Sequence, residues 1–252
     1  MKKKGFNKKF KMLPIIIFLL LLLGGIAILF SRFGTDNTIT PDSPKDNTQI
    51  KIACVGDSVT YGYGIENRNK DTYPAVLQNM LGANYKVRNF GVSGHCVQDS
   101  SDRPYANTKT YAKSLKYKAD IVVFMLGSND TKVFNWQGID YFRSAYYKLL
   151  DSYGDAKIVL CTPPTAYYID ELGEVTTHDD DGITTFEIQP NAVEEIANMV
   201  YEIAKERNYP VVDVNTVTEG HNEWFTVDGT HPNEDGARAI AQAVYRVVSE
   251  IE

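Results

Sequence analysis

Residues 50–62, Ile50-Lys51-Ile52-Ala53-Cys54-Val55-Gly56-Asp57-Ser58-Val59-Thr60-Tyr61-Gly62, begin as an apolar run and break at Gly56 into a polar turn. A short apolar run bounded by turn residues reads as a buried strand. The pattern recurs downstream. Further β-type runs occupy 86–90, 120–126, 157–161 and 210–214, and helical patterns lie near 72–82, 105–117, 138–152, 190–208 and 233–250. Strands alternating with helices predict a parallel sheet covered on both faces. The right-handed crossover rule makes this an α/β, doubly wound, three-layer α/β/α sandwich around a mostly parallel five-stranded sheet. Such sheets bind ligands beyond the C-terminal ends of their strands. Ser58 follows the first run, Gly91 the second and Asn129 the third, so all three fall on one rim, and His231, just before the last helix, can reach it.

The 252-residue chain is 43% hydrophobic and 23% charged, enough for one domain with a sizeable core. Its net charge of -6 is unevenly spread. Residues 1–32 hold six lysines and Arg32 and no acid, whereas the remaining 19 basic residues face 32 acidic ones. A folded part this acidic excludes nucleic acid as a natural partner and disfavours an anionic membrane face. Three cysteines give no disulfide framework. Cys54 and Cys161 lie in apolar runs and read as buried side chains, while Cys96 lies in a loop, where a reactive thiol stays open.

Lys2, Lys3, Lys4, Lys8, Lys9 and Lys11 precede an uncharged stretch from Met12 to Phe30. As a helix it would span about 28 Å, close to a bilayer core. The expected organisation is a cytoplasmic basic segment at 1–11, a transmembrane signal anchor at 12–30, a flexible polar stalk at 31–49 and an exported domain at 50–252. A cleaved signal is the alternative, with Gly25-Ile26-Ala27 as a weak cleavage site. Residues 165–189 show no clear period and read as an insertion over one end of the sheet. Within it, His178-Asp179-Asp180-Asp181 reads as a solvated turn rather than a metal site.

A serine at a strand-to-turn break, answered downstream by Asp228-Gly229-Thr230-His231-Pro232, is the parts list of a serine hydrolase. Four blocks over residues 50–252 resemble the SGNH/GDSL hydrolase family: Gly56-Asp57-Ser58-Val59-Thr60-Tyr61-Gly62, Asn89-Phe90-Gly91-Val92-Ser93-Gly94, Gly127-Ser128-Asn129-Asp130 and Asp228-Gly229-Thr230-His231. The resemblance implies Ser58 as nucleophile, His231 as base and Asp228 as its orienting carboxylate. It also implies an oxyanion hole made by the backbone N–H groups of Ser58 and Gly91 and the side-chain amide of Asn129. No cofactor or metal belongs to this chemistry. Ser93 and Ser128 read as loop hydrogen-bonders, His95 and His221 as loop or rim residues, and Asp57 and Asp130 as carboxylates that hold turns.

Phe134, Trp136, Tyr167 and Trp224 fall on rim loops and are the candidate substrate-binding residues, as platforms for sugar rings. The same aromatics are equally expected to pack the loops onto the sheet. Together with the export signal, the resemblance implies a serine ester hydrolase that removes O-acetyl or other short acyl groups from carbohydrate. The alternatives are a cell-wall glycan O-acyltransferase, a lysophospholipase or thioesterase on the same site, and a catalytically silent glycan-binding module. Nothing in the sequence specifies an oligomeric state.

Overall fold

The structure is a computed structural model and describes residues 49–176 and 184–251. The expected basic segment, the signal anchor at 12–30, nearly all of the stalk and the His178–Asp181 turn lie outside the described residues. Among the described residues no helix is long and apolar enough to cross a membrane.

Five parallel strands form one sheet: β1 (Ile50–Gly56), β2 (Tyr85–Gly91), β3 (Ile121–Met125), β4 (Lys157–Cys161) and β7 (Val211–Val212), in the order β2-β1-β3-β4-β7. The chain therefore starts near the middle, steps outward to β2, and crosses back to build the other half. The order reverses between β2 and β3, on either side of β1, where a doubly wound sheet opens a crevice. Two short strands, β5 (Tyr168–Ile169) and β6 (Val175–Thr176), pair antiparallel within the 165–189 insertion.

Side chains alternate across the sheet, and each face has its own core. Ala53, Val55, Val122, Phe124, Ile158 and Leu160 face one way, packing against helices Ile139–Asp151 and Pro190–Arg207. Ile52, Cys54, Ile121, Val123, Val159, Cys161 and Val212 face the other, against helices Tyr73–Leu81 and Glu234–Val248. All five residues of β3 are buried, which explains why the central run is apolar without alternation. Burying a Val, Ile or Phe side chain in this way stabilises the fold by about 1.5–3 kcal/mol.

Two expected elements are shorter than their patterns. The 210–214 run yields only Val211–Val212, because the Asp213 side chain accepts the Thr216 N–H at 3.1 Å and starts the helix Val214–Thr218. The 105–117 pattern divides at Thr108, whose hydroxyl accepts the Tyr111 N–H at 2.9 Å and caps the helix Lys109–Tyr117. Cys54, Cys96 and Cys161 are all free and buried. Burial pushes the Cys54 thiol up to about 12 and raises Cys96 and Cys161 as well, which removes the reactive-thiol reading of Cys96.

Candidate functional site

Ser58 stands where β1 ends, as the first residue of the short helix Ser58–Tyr61. Asp57 caps that helix, its Oδ1 accepting the Val59 N–H at 3.0 Å. Two paired glycines, Gly56 and Gly91, let the helix lie this close to the strand ends. A Cβ on Gly56 would come within 1.9 Å of Thr60 Oγ1, and one on Gly91 within 2.2 Å of the Tyr61 nitrogen. Asn89 ties the same corner together, its Nδ2 donating to the Thr60 carbonyl at 2.6 Å.

His231 arrives from the other end of the chain. Its Nε2 lies 2.9 Å from Ser58 Oγ, and its Nδ1 lies 2.7 Å from Asp228 Oδ2. Serine and imidazole are each only 5% exposed, so the contact is shielded from competing water. Asp228 also shapes its own loop, with Oδ1 accepting the N–H groups of Thr230 and His231, both at 2.9 Å. Burial works to raise the Asp228 carboxyl, but the hydrogen bond and charge of His231 and the two N–H groups prevail and hold it at about 2. An ionised carboxylate at Nδ1 keeps the proton on that nitrogen and leaves Nε2 free to accept from the serine hydroxyl. Gly229, at φ +65, lets the loop pass close to the insertion, where the Tyr167 N–H donates to its carbonyl at 2.8 Å.

Asn129 lies in the tight turn Ser128–Thr131 after β3 and is buried. Its Nδ2 donates to the His95 carbonyl at 3.3 Å, which brings the amide against the loop after β2. Asn135 Nδ2 holds the turn from below, donating to the Asn129 carbonyl at 3.2 Å. Asp130 organises the facing loop by accepting the N–H groups of Val97 at 2.9 Å and Gln98 at 2.8 Å. Burial raises Asp130 to about 7 against the pull of those N–H groups, and likewise raises Asp57 to about 6.

The expected oxyanion set needs one correction. The Ser58 N–H makes no hydrogen bond among the described residues, as a waiting donor requires. The Gly91 N–H, however, donates to Asn89 Oδ1 at 2.8 Å and is already engaged. Gly91 is a glycine for packing, because the nucleophile helix leaves no room for a side chain. Gly94, at φ +76, precedes the residue whose carbonyl accepts the Asn129 amide, and its own N–H is unpaired among the described residues.

The four candidate aromatics separate. Tyr167 is buried, its hydroxyl donating to the Thr218 carbonyl at 2.5 Å and accepting the His221 N–H at 2.9 Å, so it anchors the insertion and is out of reach of a substrate. Trp136 packs on Phe142, with centroids 6.3 Å apart, and belongs to the edge of the core. Trp224 stacks on His221 at 3.7 Å and 5°. Phe134 remains 60% exposed on its loop. Two rings absent from the sequence-based set pack on the imidazole instead: Tyr63 at 4.4 Å and Phe186 at 5.4 Å. Phe186 and Glu187 adopt φ +61 and +59, and each such non-glycine residue costs about 1–3 kcal/mol. Tyr63 was within reach of sequence reasoning, since it follows the nucleophile block directly. Phe186, in an aperiodic insertion, carries no local signal.

A buried serine hydroxyl paired with an imidazole polarised by a carboxylate can attack a carbonyl, and N–H donors placed at the resulting oxyanion stabilise it. Comparisons with known proteins bear on the family and the fold. The chain is 32% identical over 223 residues to an acetylxylan esterase of Xylanibacter ruminicola, in an alignment covering 80% of this chain and 43% of that protein. It thus spans less than half the length of that relative. Among solved structures it is similar to a carbohydrate acetylesterase from Sinorhizobium meliloti, with a TM-score of 0.62, 17% identity and coverage of 80% of this chain and 99% of that one. It is also similar to the aryl esterase of M. smegmatis, with a TM-score of 0.60, 21% identity and the same coverage. At these identities the two structures speak to the fold alone. Residues 54–239, which hold all four sequence blocks, match the GDSL-like Lipase/Acylhydrolase family, and the chain belongs to that family.

Proposed function

We propose that this chain is a serine esterase that removes acetyl or other short acyl groups from carbohydrate through an acyl-enzyme on Ser58, carried outside the cell on a membrane anchor at residues 12–30. The observation that carries the reading is the unbroken chain of contacts from Ser58 Oγ to His231 Nε2 at 2.9 Å and from His231 Nδ1 to Asp228 Oδ2 at 2.7 Å.

Ser58 Oγ adds to the ester carbonyl carbon while His231 Nε2 takes the hydroxyl proton. The carbonyl oxygen becomes an oxyanion, met by the Ser58 N–H and the Asn129 amide, and one such donor stabilises it by about 3–4 kcal/mol. Collapse breaks the bond to the alcohol oxygen, which takes the proton back from His231. Water then gives a proton to His231 and attacks the acyl carbon. The second tetrahedral species collapses, releasing the carboxylic acid as His231 returns its proton to Ser58 Oγ. Asp228, ionised throughout, stabilises the imidazolium in both halves.

The acetylxylan esterase relative supports acetylated glycan as the substrate class. The polybasic run ahead of an uncharged 12–30 stretch supports the anchor. Purified full-length protein should hydrolyse p-nitrophenyl acetate and an acetylated xylo-oligosaccharide faster than long-chain esters, and Ser58→Ala should abolish both activities. A Ser58→Ala protein with wild-type rates would sink the assignment.

A further inference from the structure

We propose that Tyr63 and Phe186 form a binding subsite for the sugar ring on the alcohol side of the scissile ester, an inference that rests on the esterase reading of Ser58 and His231. The two rings pack on the His231 imidazole with centroids at 4.4 and 5.4 Å, and against each other at 6.4 Å and 86°. They therefore make two nearly perpendicular walls meeting at the imidazole. Both remain open to solvent, Tyr63 at 41% and Phe186 at 45%, although the imidazole between them is buried.

The chemistry decides which part of the substrate these walls touch. His231 Nε2 returns its proton to the departing alcohol oxygen, so the alcohol lies within hydrogen-bond reach of the imidazole. The carbonyl oxygen points instead toward the Ser58 N–H and Asn129. Groups packed around the imidazole consequently meet the alcohol rather than the carbonyl oxygen. A pyranose presents a flat face of C–H groups carrying partial positive charge, which suits the electron-rich face of an aromatic ring. A right-angled pair of rings can hold one such face and one edge.

Both rings are stationed by the backbone. Tyr63 directly follows the nucleophile helix, and its N–H donates to the Ser58 carbonyl at 2.9 Å. Phe186 comes from the insertion and is held at φ +61, a conformation that aromatic residues rarely adopt. A strained residue whose side chain stands at the candidate active site is more naturally read as serving ligand binding than as filling space.

The test uses full-length protein and two acetyl esters, an acetylated xylo-oligosaccharide and ethyl acetate, whose alcohol has no ring to stack. The readout is the ratio of their kcat/KM values in the wild type, Tyr63→Leu, Phe186→Ala and Phe186→Trp. Loss of either ring should lower the ratio roughly three- to tenfold, the range one stacked aromatic provides, chiefly through KM. Phe186→Trp should keep the ratio near that of the wild type. Methyl β-xylopyranoside should slow fluorophosphonate labelling of Ser58 in the wild type and less so in Phe186→Ala. If Phe186→Ala does not fold, Phe186→Leu takes its place. A ratio that stays constant, whether or not both rates fall together, would mean that the rings only shield the imidazole and would overturn the proposal. A wild type that cleaves neither ester, or a Ser58→Ala protein as active as the wild type, would instead overturn the esterase reading beneath it.

Discussion

Replacing Gly91 with alanine adds one methyl group where the structure has no space for it. The new Cβ would stand 2.2 Å from the Tyr61 nitrogen, 2.6 Å from the Thr60 carbonyl carbon and 2.7 Å from the Tyr61 Cα. All three atoms are backbone, so no rotamer change relieves the clash. Gly91 is not in the left-handed region, so alanine carries no conformational penalty and the cost is steric. Its N–H, and the Asn89 Oδ1 that accepts it, are retained. Ordinary contact begins at 3.4 Å, so the helix Ser58–Tyr61 or the end of β2 must move by about 1 Å. Overpacking of this kind destabilises by about 1–3 kcal/mol. Misplacing a reacting group by about 1 Å costs on the order of 100-fold in rate. Gly91→Ala should therefore lose about two orders of magnitude in kcat on p-nitrophenyl acetate, with a lower urea midpoint. Wild-type kcat and an unchanged midpoint would refute the argument that Gly91 sets the position of the nucleophile by packing.

Other outcomes follow from the same geometry. Asn129→Ala should lower kcat about 100- to 1,000-fold while leaving KM near its original value, because the amide meets charge that develops only in the transition state. A KM effect without a kcat effect would remove Asn129 from the oxyanion hole. Asp57 and Asp130 are raised by burial to about 6 and about 7, so the folded protein retains protons there that the unfolded chain releases. Stability from these two groups should rise as pH falls from about 7 toward about 4, and should be offset at lower pH as Asp228, held at about 2, loses its contribution. The thermal midpoint should therefore be higher near about pH 5 than near about pH 8, and Asp130→Asn should flatten that slope. An unaltered slope in Asp130→Asn would assign the effect elsewhere.

Much of the fold was legible because it is written in short-range pattern. The apolar runs at 50–55 and 157–161 became β1 and β4 almost unchanged, and the helical patterns at 138–152 and 190–208 became helices Ile139–Asp151 and Pro190–Arg207. The two shortened elements failed at capping side chains, Asp213 and Thr108, whose hydrogen bonds outweigh a continuing pattern. Ser58, Asp228 and His231 could be named because residue type, spacing and position at the ends of elements all agree.

The linear sequence alone determined the layered sheet, the rim on which the reactive groups stand, and the three residues that join by hydrogen bonds, since each depends on a side chain and its near neighbours. Tertiary structure decided the rest. Whether the Gly91 N–H was free depended on the rotamer of Asn89, and whether Tyr167 reached the site depended on the carbonyl of Thr218, far along the chain. Phe186 meets the imidazole only because the insertion crosses the rim and holds that residue in an unfavourable backbone conformation. Contacts of this kind are settled by competition among distant groups for the same space and the same hydrogen bonds, and no local pattern of residues encodes the result.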